Sequence, residues 1–221
     1  MHIEHEVVTG AKLVVGYSTA ATAGLYTLKT AWDALRTQGL MSLVARSAMA
    51  TAAVFTFFEI LPHYSAGVSE VHFILGSTLF LIFGMAPAAI GLAMGLLLQG
   101  LFFAPLDLPQ YGMNVTTLLV PLFALHLVAK RLIAPGTAYV DLKYSQALAL
   151  STAFQGGVVA WVAFWAILGQ GFTNVAAIGA FGAAYMTVIL LEPLVDLAVL
   201  AVAKRLNGLR GSGLVTPRLF A

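Results

Sequence analysis

From His72 through Phe103 the chain runs 32 residues without an Asp, Glu, Lys or Arg. A segment this apolar offers no face to water, so a bilayer is its natural solvent. As one helix, rising about 1.5 Å per residue, it would overshoot a hydrocarbon core about 30 Å thick. It must therefore either tilt steeply or break. Gly84-Met85-Ala86-Pro87 supplies a break, because proline restricts the residue before it and removes a helical hydrogen bond. The sequence predicts a short segment over 72–85 and a full one over 87–103.

The remaining sequence fits the same solvent. Hydrophobic residues make up 60% of the 221 and charged residues only 9%, where a soluble domain carries about 25%. Further apolar stretches lie at 7–31, 40–61, 114–132, 144–168 and 175–203. No soluble domain and no repeat at a fixed period is visible. The expectation is a single transmembrane domain over 1–221, an all-α bundle of about seven helices with one short or broken. Residues Met1 to Glu6 lack a basic n-region and a cleavage site, so a cleaved signal peptide is not expected.

Basic residues orient the chain, since Lys and Arg favour cytoplasmic loops. Seven crossings with the N-terminus outside put Lys29, Arg36, Arg46, Lys130, Arg131, Lys143, Lys204, Arg205, Arg210 and Arg218 on the cytoplasmic side. That is 10 of 11, with Lys12 the exception; six crossings reach 7 of 11 at best. The C-terminus is then cytoplasmic. The outer face gathers His2, His5, His63 and His72 with Glu4, Glu6, Glu59, Glu70 and Asp107. A multi-pass protein of the bacterial inner membrane is the resulting expectation. No basic run with interleaved aromatics points to nucleic acid. The chain has no cysteine, which excludes disulfides, thiolate metal sites and a cysteine nucleophile.

A chain that starts Met1-His2 carries a specific coordination chemistry. The α-amine, the His2 amide nitrogen and a His2 imidazole nitrogen can close fused chelate rings around one ion. Such nitrogen-rich tetragonal sites suit Ni or Cu, with Co possible. His72, placed on the same outer side, can supply a fourth nitrogen. Most terminal histidines bind nothing, and the outer charges also read as ordinary solvated loop residues.

Three stretches together resemble the CbiM/NikM family, the substrate-binding membrane components of energy-coupling-factor cobalt and nickel transporters. They are Met1-His2-Ile3, then Gly67 to Gly76 with Ser69 and His72, then Gly84 to Pro87 through Leu96-Leu97-Leu98-Gln99-Gly100 to Tyr111-Gly112-Met113-Asn114. They cover about half the chain in matching order. The chain departs from the family pattern at Glu4-His5-Glu6 and in the loop Ala104 to Gln110. The resemblance implies a seven-helix fold whose N-terminus inserts from outside. It also implies a Co2+ or Ni2+ substrate held by the Met1 amine, the His2 amide and imidazole, and His72. The implied partners are a coupling transmembrane subunit, ATP-binding subunits and a small accessory membrane protein, within a lipid bilayer. The chain has no P-loop, so ATP hydrolysis falls to those partners.

Other polar residues admit two readings. Gln99 and Asn114 either orient the histidine ligands or satisfy backbone groups near helix ends. Lys12 is expected to snorkel to the outer interface or to pair with Glu59. His126, four residues from Lys130, reads as structural. Small residues four apart around Ala20–Gly24 and Ala48–Ala52 suit close helix packing, here or against a partner. Two rival functions remain: an intramembrane serine protease using Ser18 and His126, and a stand-alone cation carrier. The carrier needs mid-span carboxylates, which only Glu192 and Asp196 approach, and these two can equally serve contacts with Lys204 or Arg205.

Overall fold

The computed structural model describes residues 8–220. Eight α-helices lie among them: α1 (Lys12–Gln38), α2 (Leu40–Glu59), α3 (Gly76–Phe83), α4 (Met85–Phe102), α5 (Tyr111–Leu132), α6 (Tyr144–Gln170), α7 (Val175–Met186) and α8 (Glu192–Arg205). A two-stranded antiparallel hairpin, β1 (Tyr64–Ala66) and β2 (Ser69–Val71), joins α2 to α3. Four helical stretches among the described residues are long and apolar enough to cross a membrane. They are Leu40–Glu59, Met85–Phe102, Pro105–Leu132 and Tyr144–Arg205. The chain is an all-α polytopic membrane bundle.

Close approach of backbones sets its geometry. A Cβ on Gly91 would sit 2.5 Å from the Cβ of Ala50, and one on Gly95 would sit 2.5 Å from Cγ1 of Val54. The glycines of α4 therefore let α2 lie directly against it. Gly112 of α5 meets the backbone of Gly16 in α1 in the same way, 2.9 Å from its carbonyl carbon. In lipid, where apolar surface gains nothing by leaving water, such contacts and their dispersion energy carry helix association.

At Gly84, with φ of 85°, α3 gives way to α4. Arg46 of α2 meets this junction. Its Nη1 donates to the Phe83 carbonyl at 2.8 Å and its Nε to the Ser42 carbonyl at 3.2 Å, and Nη2 bonds the Gln38 side chain. The Thr216 amide donates to the Ile82 carbonyl at 2.8 Å. Terminal carbonyls of a helix that stops inside protein are thus satisfied from two directions.

The structure revises two local expectations. His72 does not open a helical segment: it follows β2, and α3 starts only at Gly76. Gly67, with φ of 64°, closes the hairpin turn, and Val68 and Val71 bury their side chains. The apolar stretch 175–203 is likewise two helices, with a 3-10 turn over Thr187–Leu190 between them. Pro193 lies in the first turn of α8, where its missing N–H costs no helical bond.

Candidate metal centre

The hairpin delivers His72 into the bundle. Its ring is buried, with the residue 1% exposed. Phe58 of α2 meets the imidazole edge-on with centroids 5.0 Å apart. His63 stacks on its other side at 4.8 Å and 15° between planes. Glu70, two residues back in β2, puts Oε2 3.0 Å from His72 Nε2. A carboxylate on one ring nitrogen fixes the tautomer and raises the basicity of the other, the usual support for a metal-binding imidazole.

After His72 the chain runs without regular structure to Leu75, whose φ of 55° and ψ of 45° are left-handed. That conformation costs a non-glycine residue about 1–2 kcal/mol. Burial of Ile74 and Leu75 holds it. The local strain turns the chain sharply from the histidine into α3.

Met1 and His2 lie outside the described residues, as do Glu4, His5 and Glu6. Among the described residues no group of three His, Asp or Glu side chains forms a metal cluster. Gln99 in α4 and Asn114 in α5 are both buried, 6% and 2% exposed. These helices are tied by the Tyr111 hydroxyl, which donates to the Ala93 carbonyl at 2.8 Å. Asn114 and Tyr111 also line a cavity of about 10 Å³ with Asp107, Leu96, Gly100 and Leu108.

Several other side chains have plain structural roles. Lys12 reaches the Gly169 carbonyl at 2.7 Å, so it ties α1 to the end of α6. Lys204 pairs with Asp141 at 2.5 Å, which removes it as a partner for Glu192 or Asp196. Those two carboxylates are fully buried and bonded by α3 and α6, a setting the sequence reading did not find.

Ser18 and His126 do not form a catalytic pair. The Ser18 hydroxyl donates to the Val14 carbonyl of its own helix at 2.8 Å. Gly16 packs on Met113 and Tyr26 on Phe123, so α1 and α5 run side by side in the same sense. Ser18 is then level with residues near 115, and His126 lies about 15 Å further along the axis. His126 packs instead on Phe80, with centroids 5.6 Å apart.

A membrane bundle that carries a buried, carboxylate-supported histidine has the makings of a solute-binding transport component. The family model of CbiM, the cobalt uptake substrate-specific transmembrane region, matches residues 2–208. The chain belongs to this family and is a multi-pass transport subunit, the substrate-specific membrane component of an energy-coupling-factor metal transporter. Two solved structures share its fold. One, described as a transition metal transporter, is 17% identical with a TM-score of 0.69, covering 94% of each chain. The other, a truncated transition metal transporter, is 18% identical with a TM-score of 0.66, covering 93% of this chain and 99% of that one. No curated protein matches the sequence.

Proposed function

We propose that the chain captures Co2+ or Ni2+ on the outer side of the membrane. The ligands in this reading are the Met1 amine, the His2 amide and imidazole, and His72. Four nitrogens suit a late divalent ion, and the deprotonated His2 amide offsets one of its two charges. The observation that carries the reading is the burial of His72 with Glu70 on its Nε2, which orients the ring before any ion arrives. Coordination then uses Nδ1, or draws Nε2 away from Glu70.

The same proposal has seven crossings, with the N-terminus outside and the C-terminus cytoplasmic. Helices α1, α2, α4, α5 and α6 each cross once. The 72–83 segment and the α7–α8 pair supply the other two. The distribution of Lys and Arg supports this sidedness. A coupling transmembrane subunit and ATP-binding subunits reorient the loaded protein, and Gln99 and Asn114 orient its ligands from α4 and α5.

Metal analysis of the purified chain tests the reading. About one Co or Ni per chain is expected. His72→Ala should lose it, and so should one residue added ahead of Met1. An extended variant that kept its metal would overturn the amine ligand, and a metal-loaded His72→Ala would overturn the histidine.

A further inference from the structure

Glu192 and Asp196 sit one turn apart at the start of α8, both 0% exposed. Two helices, α3 and α6, converge on them. Ser77 of α3 lies between the two carboxyls, its Oγ 3.0 Å from Glu192 Oε1 and 2.7 Å from Asp196 Oδ2. Thr78 Oγ1 is 2.5 Å from Asp196 Oδ1. From α6, Ser151 Oγ is 2.5 Å and Gln155 Nε2 is 2.6 Å from Glu192 Oε2. Among the described residues no Lys or Arg forms an ion pair with either acid.

Hydrogen counting constrains the protonation of this group. There are five close contacts, while the three hydroxyls and one amide N–H bring only four hydrogens. Ser77 has one proton and faces two acids. Either it splits that proton between two anions, or one acid is protonated and donates to the Ser77 oxygen. Two unneutralised carboxylates beside each other in a membrane interior are strongly disfavoured. A carboxylic acid supplies the fifth hydrogen and removes one charge.

A second observation points the same way. Gln155 is 0% exposed and its amide is aimed at Glu192, yet its Oε1 has no hydrogen-bond partner. The Tyr185 hydroxyl, at the end of α7 and within electrostatic range of Glu192, is also buried without a partner. An acceptor and a donor are thus held in reserve beside the acids, ready for a proton that changes position.

We propose that Glu192, Asp196 and Ser77 form a proton-binding site within the bundle, in which one acid proton joins α3 to α8. Loss of that proton removes the fifth hydrogen bond and sets two anions against each other across Ser77. Helix α3 then loosens from α8, five residues along the chain from His72. The titratable groups around the pair are few. Tyr185 comes from α7, α6 has only Tyr144 at its first residue, none comes from α3, and the short turn Tyr139–Asp141 packed on α8 brings Tyr139 and the Lys204-paired Asp141.

Infrared spectroscopy of the purified, metal-free chain tests this, independently of any role of His72. The wild type should show the carbonyl stretch of a protonated carboxylic acid at neutral pH, shifted in D2O. Glu192→Gln and Asp196→Asn should each abolish it, because an amide N–H replaces the acid hydrogen. Thermal stability should fall with rising pH in the wild type and stay level over the same range in Asp196→Asn. Absence of the band in the folded wild type would overturn the proposal. So would its survival in both variants, or stability that follows added sodium or potassium with no acid band present.

Discussion

The imidazoles of His63 and His72 lie nearly parallel, 4.8 Å apart, on the approach to the buried end of the hairpin. A flat ring at that spacing holds the His72 imidazole in one orientation. A neutral His72 is the form that binds a metal ion. His63→Ala should therefore weaken Co2+ or Ni2+ binding without changing the ion-to-chain ratio. His63→Phe restores a flat ring and should recover affinity. Titration calorimetry separates stacking from ligation: if His63 were a ligand, phenylalanine would not rescue.

Glu70 acts on the same ring at Nε2. Glu70→Gln keeps a hydrogen-bonding group but removes the charge that raises imidazole basicity. Metal affinity is expected to fall by about 10–100-fold, the ordinary effect of removing an outer carboxylate from a histidine ligand. Unchanged affinity in equilibrium dialysis would show that Glu70 shapes the hairpin alone.

Arg46 is almost fully buried and spends its donors on the Phe83 and Ser42 carbonyls and on Gln38. Arg46→Met keeps much of the apolar stem and strands those acceptors. A loss of about 1.5–3 kcal/mol is expected, as for a hydrogen bond from a charged group. Lysine has one point of attachment where arginine has a fork, so Arg46→Lys should recover only part. Detergent-solubilised unfolding midpoints measure the series.

Gly67 has φ of 64° and lies against α7, where an added Cβ would strike the Ala177 carbonyl oxygen. Gly67→Ala meets both backbone strain and a collision with atoms that cannot rotate away. We expect a loss of about 1–3 kcal/mol, and weaker metal binding because the turn positions Glu70 and His72. A neutral outcome in both assays would mean the hairpin docks on α7 less tightly than its geometry indicates.

Much of the bundle was readable from apolar runs alone. The stretches at 40–61, 114–132 and 144–168 correspond to α2, α5 and α6 within a few residues. Hydropathy is a one-dimensional property, and helix position in a bilayer is largely its consequence. The hairpin escaped because two strands of three residues lie below the length at which alternation can be seen. His72 and Glu70 were visible as residue types, whereas their contact depends on the hairpin, which an apolar run does not encode. In the sequence Glu192 and Asp196 read equally as mid-span carboxylates or as partners of the nearby Lys204 and Arg205. Their actual partners, Ser77, Thr78, Ser151 and Gln155, come from helices 37 to 119 positions away. Only tertiary packing brings those together.

Helix α2 carries Arg46 near one end and Phe58 near the other, roughly 18 Å apart along its axis at 1.5 Å per residue. The first grips the Phe83 carbonyl and the second lies against His72. Between them, Ala50 and Val54 are seated on Gly91 and Gly95 with no room for slip. The helix is therefore a strut of fixed length, holding the α3 junction at one end and the His72 ring at the other while resting on α4 between them.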